Sequence, residues 1–245
     1  METKRTFHRF AFRGANFRIC SDRAESVRRE IVRQRGLLER YLLRHAEFAT
    51  SLEPLDARKG APEVALRMAA AAEAVGVGPM AAVAGTMAQL AAEAALRDGA
   101  EEAIVENGGD TFLVCTRPVV VGLYAGGTPL ADRLALLCRP EQTPLAICSS
   151  SGRMGHSMSL GDCDLATVTA RDASLADAAA TRAGNLVRTV DDIDPALAEI
   201  TAIDGVSGVL LVKGDRIGLG GHLPDLVANR DAELALKVTR DPRSR

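Results

Sequence analysis

A helix built almost wholly from small residues constrains this chain most. Residues 173–185 read ASLADAAATRAGN, with Leu175 the single bulky apolar side chain. Such a helix has little side chain to bury, so it must lie very close to whatever covers it. A second stretch has the same character: Ala81, Gly85, Ala88 and Ala92 recur at spacings of three or four between 80 and 96. Aromatic residues make up only 3% of the 245 residues, and there is no Trp. The core is therefore expected to be close-packed Ala, Val, Leu and Gly, although the hydrophobic share of 47% is ordinary for a globular protein.

Taken in order, residues 6–20 alternate apolar and basic side chains around Gly14, which predicts a hairpin with one wet face. Ser21 or Asp22 can cap the helix that follows, with Glu25 at capping-box spacing from Asp22. Val27, Ile31, Leu38, Leu42 and Phe48 mark its apolar stripe. Residues 51–62 read as a loop and as the most flexible stretch. Pro62 opens a helix that runs to Gly76, and after Gly78 and Pro79 another starts near Met80 and ends at Arg97–Gly99. From Ala103 the period becomes two, giving a hairpin whose turn is Asn107, Gly108, Gly109 and Asp110. Val119–Tyr124 is expected to continue that sheet. Leu134–Cys138, Leu145–Cys148 and Leu165–Ala170 are strand candidates, Asp194 and Pro195 begin a short helix, and residues 209–219 form a last hairpin. Small-residue helix, apolar strand, Gly-Asp turn and strand occur twice, at 81–114 and 173–219, which predicts two related halves. The fold class is α+β, antiparallel sheets packed with helices. Residues 1–245 read as a single domain: a basic hairpin and helix to 60, a core at 61–230 and a tail at 231–245.

The net charge of -2 excludes a general nucleic-acid or membrane-surface role. Charge is uneven, however: residues 1–60 hold fourteen Lys/Arg against eight Asp/Glu, a basic front that could contact phosphate or be a solvated helix face. The five cysteines, at 20, 115, 138, 148 and 163, have no metal-ligand spacing and suit a reducing compartment. The opening METKRTFHRF lacks an apolar signal core, and no apolar run reaches membrane-spanning length. The expected location is cytoplasmic, with no membrane partner. The Ala-rich faces are compatible with a homodimer.

Asp177 and Thr181 lie one helical turn apart. Their carboxylate and hydroxyl are hard oxygen donors of the kind Mg²⁺ takes, and they can equally form a structural hydrogen bond. His156 follows the loop Ser149, Ser150, Ser151, Gly152, whose N–H and hydroxyl groups could hold phosphate. A His there could act as general acid or base, or as an ordinary loop residue. The glycines of Asn107–Asp110 make a good turn and also permit close approach to a ligand.

Together these segments resemble the ApbE-like superfamily, whose characterised members are FAD-dependent FMN transferases. VENGGD resembles its Gly-Gly-Asp turn, VGPMAAVAG its Gly-rich helix start, CSSSG followed by GHS its catalytic loop, and ADAAAT its magnesium motif. The closest likeness is to a short cytoplasmic subfamily. The resemblance implies Mg²⁺ held by Asp177, Thr181 and the backbone carbonyl near Ala81. It implies FAD as substrate or ligand, with Asn107, Gly108, Gly109, Asp110, Ser149, Ser150, Ser151 and Gly152 at the cofactor. It implies His156 and Asp177 in catalysis and a protein Ser/Thr as acceptor. Three features depart from the transferases. Ala84 stands where they usually carry Lys or Glu, His156 precedes Ser157 rather than an Ile-Asp-Pro segment, and a basic helix replaces their adenine-binding segment. A binder of flavin, nucleotide or another phosphate-bearing small molecule that serves a second enzyme is the alternative implied; a third is another phosphoryl- or acyl-transfer enzyme.

Overall fold

The computed structural model describes residues 5–124, 133–151 and 161–229. Its centre is an eight-stranded antiparallel sheet in the order β1-β2-β3-β4-β7-β8-β9-β10. The strands are β1 (His8–Phe12), β2 (Ala15–Cys20), β3 (Ala103–Asn107), β4 (Asp110–Val114), β7 (Leu145–Ser150), β8 (Leu165–Ala170), β9 (Val206–Lys213) and β10 (Arg216–Gly221). Helices α1 (Ala24–Arg44), α2 (Ala46–Thr50), α3 (Glu63–Val75), α4 (Val83–Arg97), α5 (Ala173–Leu186) and α6 (Ile193–Thr201) cover one face. The other face carries a three-stranded sheet, β11 (Asp225–Ala228), β6 (Leu134–Cys138) and β5 (Val119–Gly122).

Two covered faces require strands that are apolar on both sides, and β7 and β8 meet that requirement with a sorting by size. Ala103, Val105, Phe112, Ala146, Cys148, Ala166 and Val168 face the helices. Ile104, Leu113, Leu145, Ile147, Leu165, Leu210 and Val212 face the small sheet. Small side chains toward the helices bring α4 and α5 down onto the strands. Glycine brings them onto each other: a β-carbon on Gly85 would lie 2.2 Å from the Ala173 carbonyl oxygen. Gly161 meets Gly184 in the same way, at 2.0 Å.

The connectivity repeats. In each half a hairpin (β1–β2, then β7–β8) leads through helices to a second hairpin (β3–β4, then β9–β10), and the four strands lie side by side in chain order. The repeat is longer than the echo at 81–114 and 173–219, because each unit also includes the hairpin before its helices. The halves join where β4 pairs with β7, a register of three residue pairs.

Several expectations are corrected. Val119–Gly122 does not continue the main sheet; it pairs with Leu134–Cys138 in the second one. β11, for which no strand was expected, completes that sheet beside β6. The first residue outside α1 is Arg23, with no side-chain cap, and Ser21 Oγ instead accepts the Arg23 N–H at 3.1 Å. Phe48 is buried from the separate helix α2. Residues 51–62 are irregular yet fastened: the Arg58 N–H donates to Tyr41 Oη at 3.0 Å, and Ser51 packs its backbone against Gly78. Among the described residues no single helix is long and apolar enough to cross a membrane.

Candidate functional site

Asn107 and Asp110 face each other across the β3–β4 turn. Gly108 and Gly109 hold φ of 66° and 112°, the left-handed geometry this two-residue turn requires. The Asn107 amide donates from Nδ2 to the Ala84 carbonyl at 3.2 Å, tying the turn to the start of α4. The Gly109 N–H donates to Glu106 Oε1 at 2.9 Å. Asp110 reaches across the seam between the halves, where its Oδ1 accepts the Ser149 N–H at 3.1 Å.

From the other side, α5 delivers Asp177. Its Oδ2 accepts the Gly85 N–H at 2.8 Å, and the Ala84 N–H also points at it. The carboxylate therefore caps the first turn of α4, where unpaired N–H groups and the helix dipole favour negative charge. The close packing at Gly85 is what allows a side chain of one helix to reach the backbone of the other.

Asp110 and Asp177 are both buried and interact electrostatically. Burial pushes the Asp110 carboxyl up to about 7, against the opposing pull of the Ser149 N–H and the Cys148 thiol. Burial, and then the charge of Asp110, raise Asp177 well above the usual carboxylate range. The Cys148 thiol is itself held protonated by burial and by both carboxylates, and donates to the Ala173 carbonyl at 3.6 Å. Two carboxylates in one dry place favour a shared proton or a bound cation.

The other sequence-derived residues surround this pair unevenly. Ser149 Oγ shares a hydrogen bond with Thr167 Oγ1 at 2.9 Å on the neighbouring strand. Ser150 faces Gly184 of α5, and Ser151 is buried at the end of β7. Thr181 lies one turn beyond Asp177 and is half-buried. Ala81 sits in the Pro79–Ala82 turn against which α5 packs. Gly152 and His156 lie outside the described residues. Among the described residues, no group of three or more His, Cys, Asp or Glu could hold a metal.

Sequence reading missed the polar clamp between α4 and α5. Gln89 Oε1 accepts the Ala173 N–H at 2.7 Å, and Thr86 Oγ1 bonds Ser174 Oγ at 2.8 Å. The polar residues among the alanines of both helices were the available signal. It also missed a cleft of about 150 Å³ beside Asn107, walled by Phe12, Phe17, Ile31, Val83 and Met87 with Arg35 at its edge. Its lining comes from four separated segments, which no local pattern unites.

Comparison with known proteins agrees with this architecture. The family model described as AbpE bacteria matches residues 15–213. A UPF0280 protein of Methanocella arvoryzae is 45% identical over 211 residues, covering 86% of this chain and 84% of the relative. A UPF0280 protein of Methanosarcina acetivorans is 41% identical over 203 residues, covering 82% and 80%. Among solved structures, the ApbE protein of Thermotoga maritima superposes with a TM-score of 0.60 at 13% identity, over 89% of this chain and 97% of that one. Flavin Transferase ApbE from Vibrio cholerae gives 0.55 at 14% identity, over 91% and 97%. The helix-covered antiparallel sheet, the family match and these relatives lead to one statement: the chain belongs to the ApbE-like superfamily, in the branch described as AbpE bacteria that matches it from residue 15 to residue 213.

Proposed function

We propose that this protein is a cytoplasmic, magnesium-dependent flavin-nucleotide protein that transfers FMN from FAD to a Ser or Thr of an acceptor protein. The carrying observation is the buried pair Asp110 and Asp177, which share one dry place and are met by backbone N–H groups, the Cys148 thiol and each other's charge. A divalent cation fits that donor chemistry, since it would relieve both the burial of the charges and their mutual repulsion. Asp177, the Thr181 hydroxyl and the Ala81 carbonyl would hold it, with Asp110 close by. When bound, the metal would neutralise charge on the FAD diphosphate. The chain's own groups do the rest. The Asn107–Asp110 turn and Ser149–Gly152 line the nucleotide, and His156 takes the proton of the acceptor hydroxyl. That oxygen bonds to the FMN phosphorus as the bond to the AMP oxygen breaks, and AMP leaves. The five buried free cysteines support a reducing location.

A second reading has an observation in its favour. Ala84, where transferases carry a charged residue, offers the site only its methyl and its backbone, and the carbonyl is already taken by Asn107. A flavin or nucleotide binder without turnover would tolerate that loss.

Titration of FAD with and without Mg²⁺, followed by an assay for AMP release, tests both readings. Magnesium-dependent binding and AMP release, both lost in Asp177→Ala, support the transferase. Binding without release in the presence of acceptor supports the binder. No binding of FAD, FMN or ADP removes both.

A further inference from the structure

We propose that a second, basic cleft at the C-terminal end of α1 binds a compact phosphate-bearing anion of diphosphate type, apart from the Asp110–Asp177 pair. Leu37, Arg40, Tyr41 and Arg44 recur at helical spacing and present one face of the last turns of α1. The 58–62 segment crosses opposite that face, held there by the bond from the Arg58 N–H to Tyr41 Oη at 3.0 Å. Between them lies a cleft of about 290 Å³, into which Arg40, Arg44, His45 and Lys59 converge. No carboxylate lines it.

The arginines around this cleft are otherwise neutralised in a regular way. Arg33 pairs with Glu30, Arg35 with Glu39, Arg58 with Glu47, and Arg67 with Glu63 and Glu93. Arg40, Arg44 and Lys59 break that pattern: none has an ion pair or hydrogen bond to another described side chain. Part of their charge complements the C-terminal end of α1. Three exposed cations stand around one concavity, and the carboxylate at its margin, Glu47, lies 3.8 Å from His45 and is shared with Arg58, so the space keeps a net positive charge. Arginine forks and a lysine ammonium suit the oxygens of a phosphate or diphosphate group. A concave cleft near the lower end of small-molecule pocket size, roughly 300 Å³, suits a compact anion better than an extended acidic peptide. The inference does not depend on the flavin reading.

The test is calorimetric titration of inorganic diphosphate into the full chain in metal-free, low-salt buffer. One saturable site is expected, weakening as salt is added. The double variant Arg44→Gln/Lys59→Gln removes two exposed heads, and its affinity should fall on the order of tenfold or more. Asp177→Ala, at the other site, and Arg188→Gln, an exposed arginine elsewhere, should bind as the parent does. The proposal is overturned if the parent shows no saturable binding of diphosphate or tripolyphosphate. It is equally overturned if the double variant melts and binds like the parent, or if Asp177→Ala abolishes binding. A hexaglutamate peptide that binds more tightly than tripolyphosphate would assign the cleft to an acidic protein instead.

Discussion

Gly85 of α4 and Ala173 of α5 touch backbone to backbone, and a β-carbon on Gly85 would lie 2.2 Å from the Ala173 carbonyl oxygen and 2.9 Å from the Asp177 side chain. Nothing at that crossing can give way without moving a helix. Gly85→Ala should therefore destabilise the protein by about 2–3 kcal/mol, the usual scale for overpacking. Thermal melts would show it, and magnesium-dependent FAD binding should weaken with it. A variant that melts within a degree of the parent would mean that the two helices are not locked together there.

Asp177 has two separable properties, its capping oxygen and its charge. Asp177→Asn keeps an oxygen that can accept the Gly85 N–H, whereas Asp177→Ala does not. The Ala variant should lose about 1 kcal/mol of stability, typical of a lost helix cap. The Asn variant should be at least as stable as the parent without metal, since it removes the cost of burying an ionisable carboxyl beside Asp110. Both should lose magnesium-dependent FAD binding. Retained metal dependence in the Asn variant would move the metal elsewhere.

Stability should fall with rising pH, in a direction fixed by Asp110 and Asp177. Asp110 has an ordinary value of 3.8 and is pushed up to about 7 in the fold, chiefly by burial. Below pH ~4 folded and unfolded chains both carry the proton. Between ~4 and ~7 the folded chain keeps a proton that the unfolded chain has released, so each step up in pH favours unfolding, and above ~7 the penalty is complete. Asp177 is raised for the same first reason and adds in the same sense. Melting temperature in metal-free buffer should decline from pH 5 to pH 8, and Asp110→Asn should flatten that slope. Added Mg²⁺ should raise the melting temperature more at pH 8 than at pH 5. A profile identical in Asp110→Asn would show that this carboxyl does not govern it.

Gly109 holds a φ of 112° with open space beside its α-carbon. Substitution there is strained by backbone conformation alone. Gly109→Ala should cost about 1–2 kcal/mol and shift the turn that aims Asn107 and Asp110. Comparing denaturant midpoints and FAD affinity for this variant against Gly99→Ala separates the two effects. Gly99 also has positive φ but lies at the far end of α4, so its variant should lose stability only.

What the sequence revealed depended on whether the signal was local. The β3–β4 turn is written in Asn107–Asp110 itself, and the stripe Val27, Ile31, Leu38 is written at helical period. The small-residue faces of α4 and α5 announced a close crossing, although not that they cross each other. The capping of α4 by Asp177 was invisible, because its two partners are 92 positions apart. Asp110 read as a turn residue, and nothing in its neighbourhood marked it as buried against a second carboxylate. Val119–Gly122 misled because an apolar strand looks the same in either sheet. The placement of Asp177 with Thr181 and of Asn107 with Asp110 followed from spacing, as did the suitability of the first pair as oxygen donors, whereas the flavin came only from the resemblance.

The seam between the halves carries a consequence of its own. β4 and β7 share three residue pairs, against six between β8 and β9. Asp110 belongs to the first half, and Asp177 and Ser149 to the second. A cation or nucleotide gripped by both carboxylates would act as a rivet across the thinnest join of the sheet. Its binding free energy would be added to the cohesion of the two halves, growing with the logarithm of ligand concentration above the dissociation constant. Separation of the halves, rather than fraying at β1 or β10, would then be the motion that ligand suppresses, and hydrogen exchange along β4 and β7 would be where its arrival is felt first.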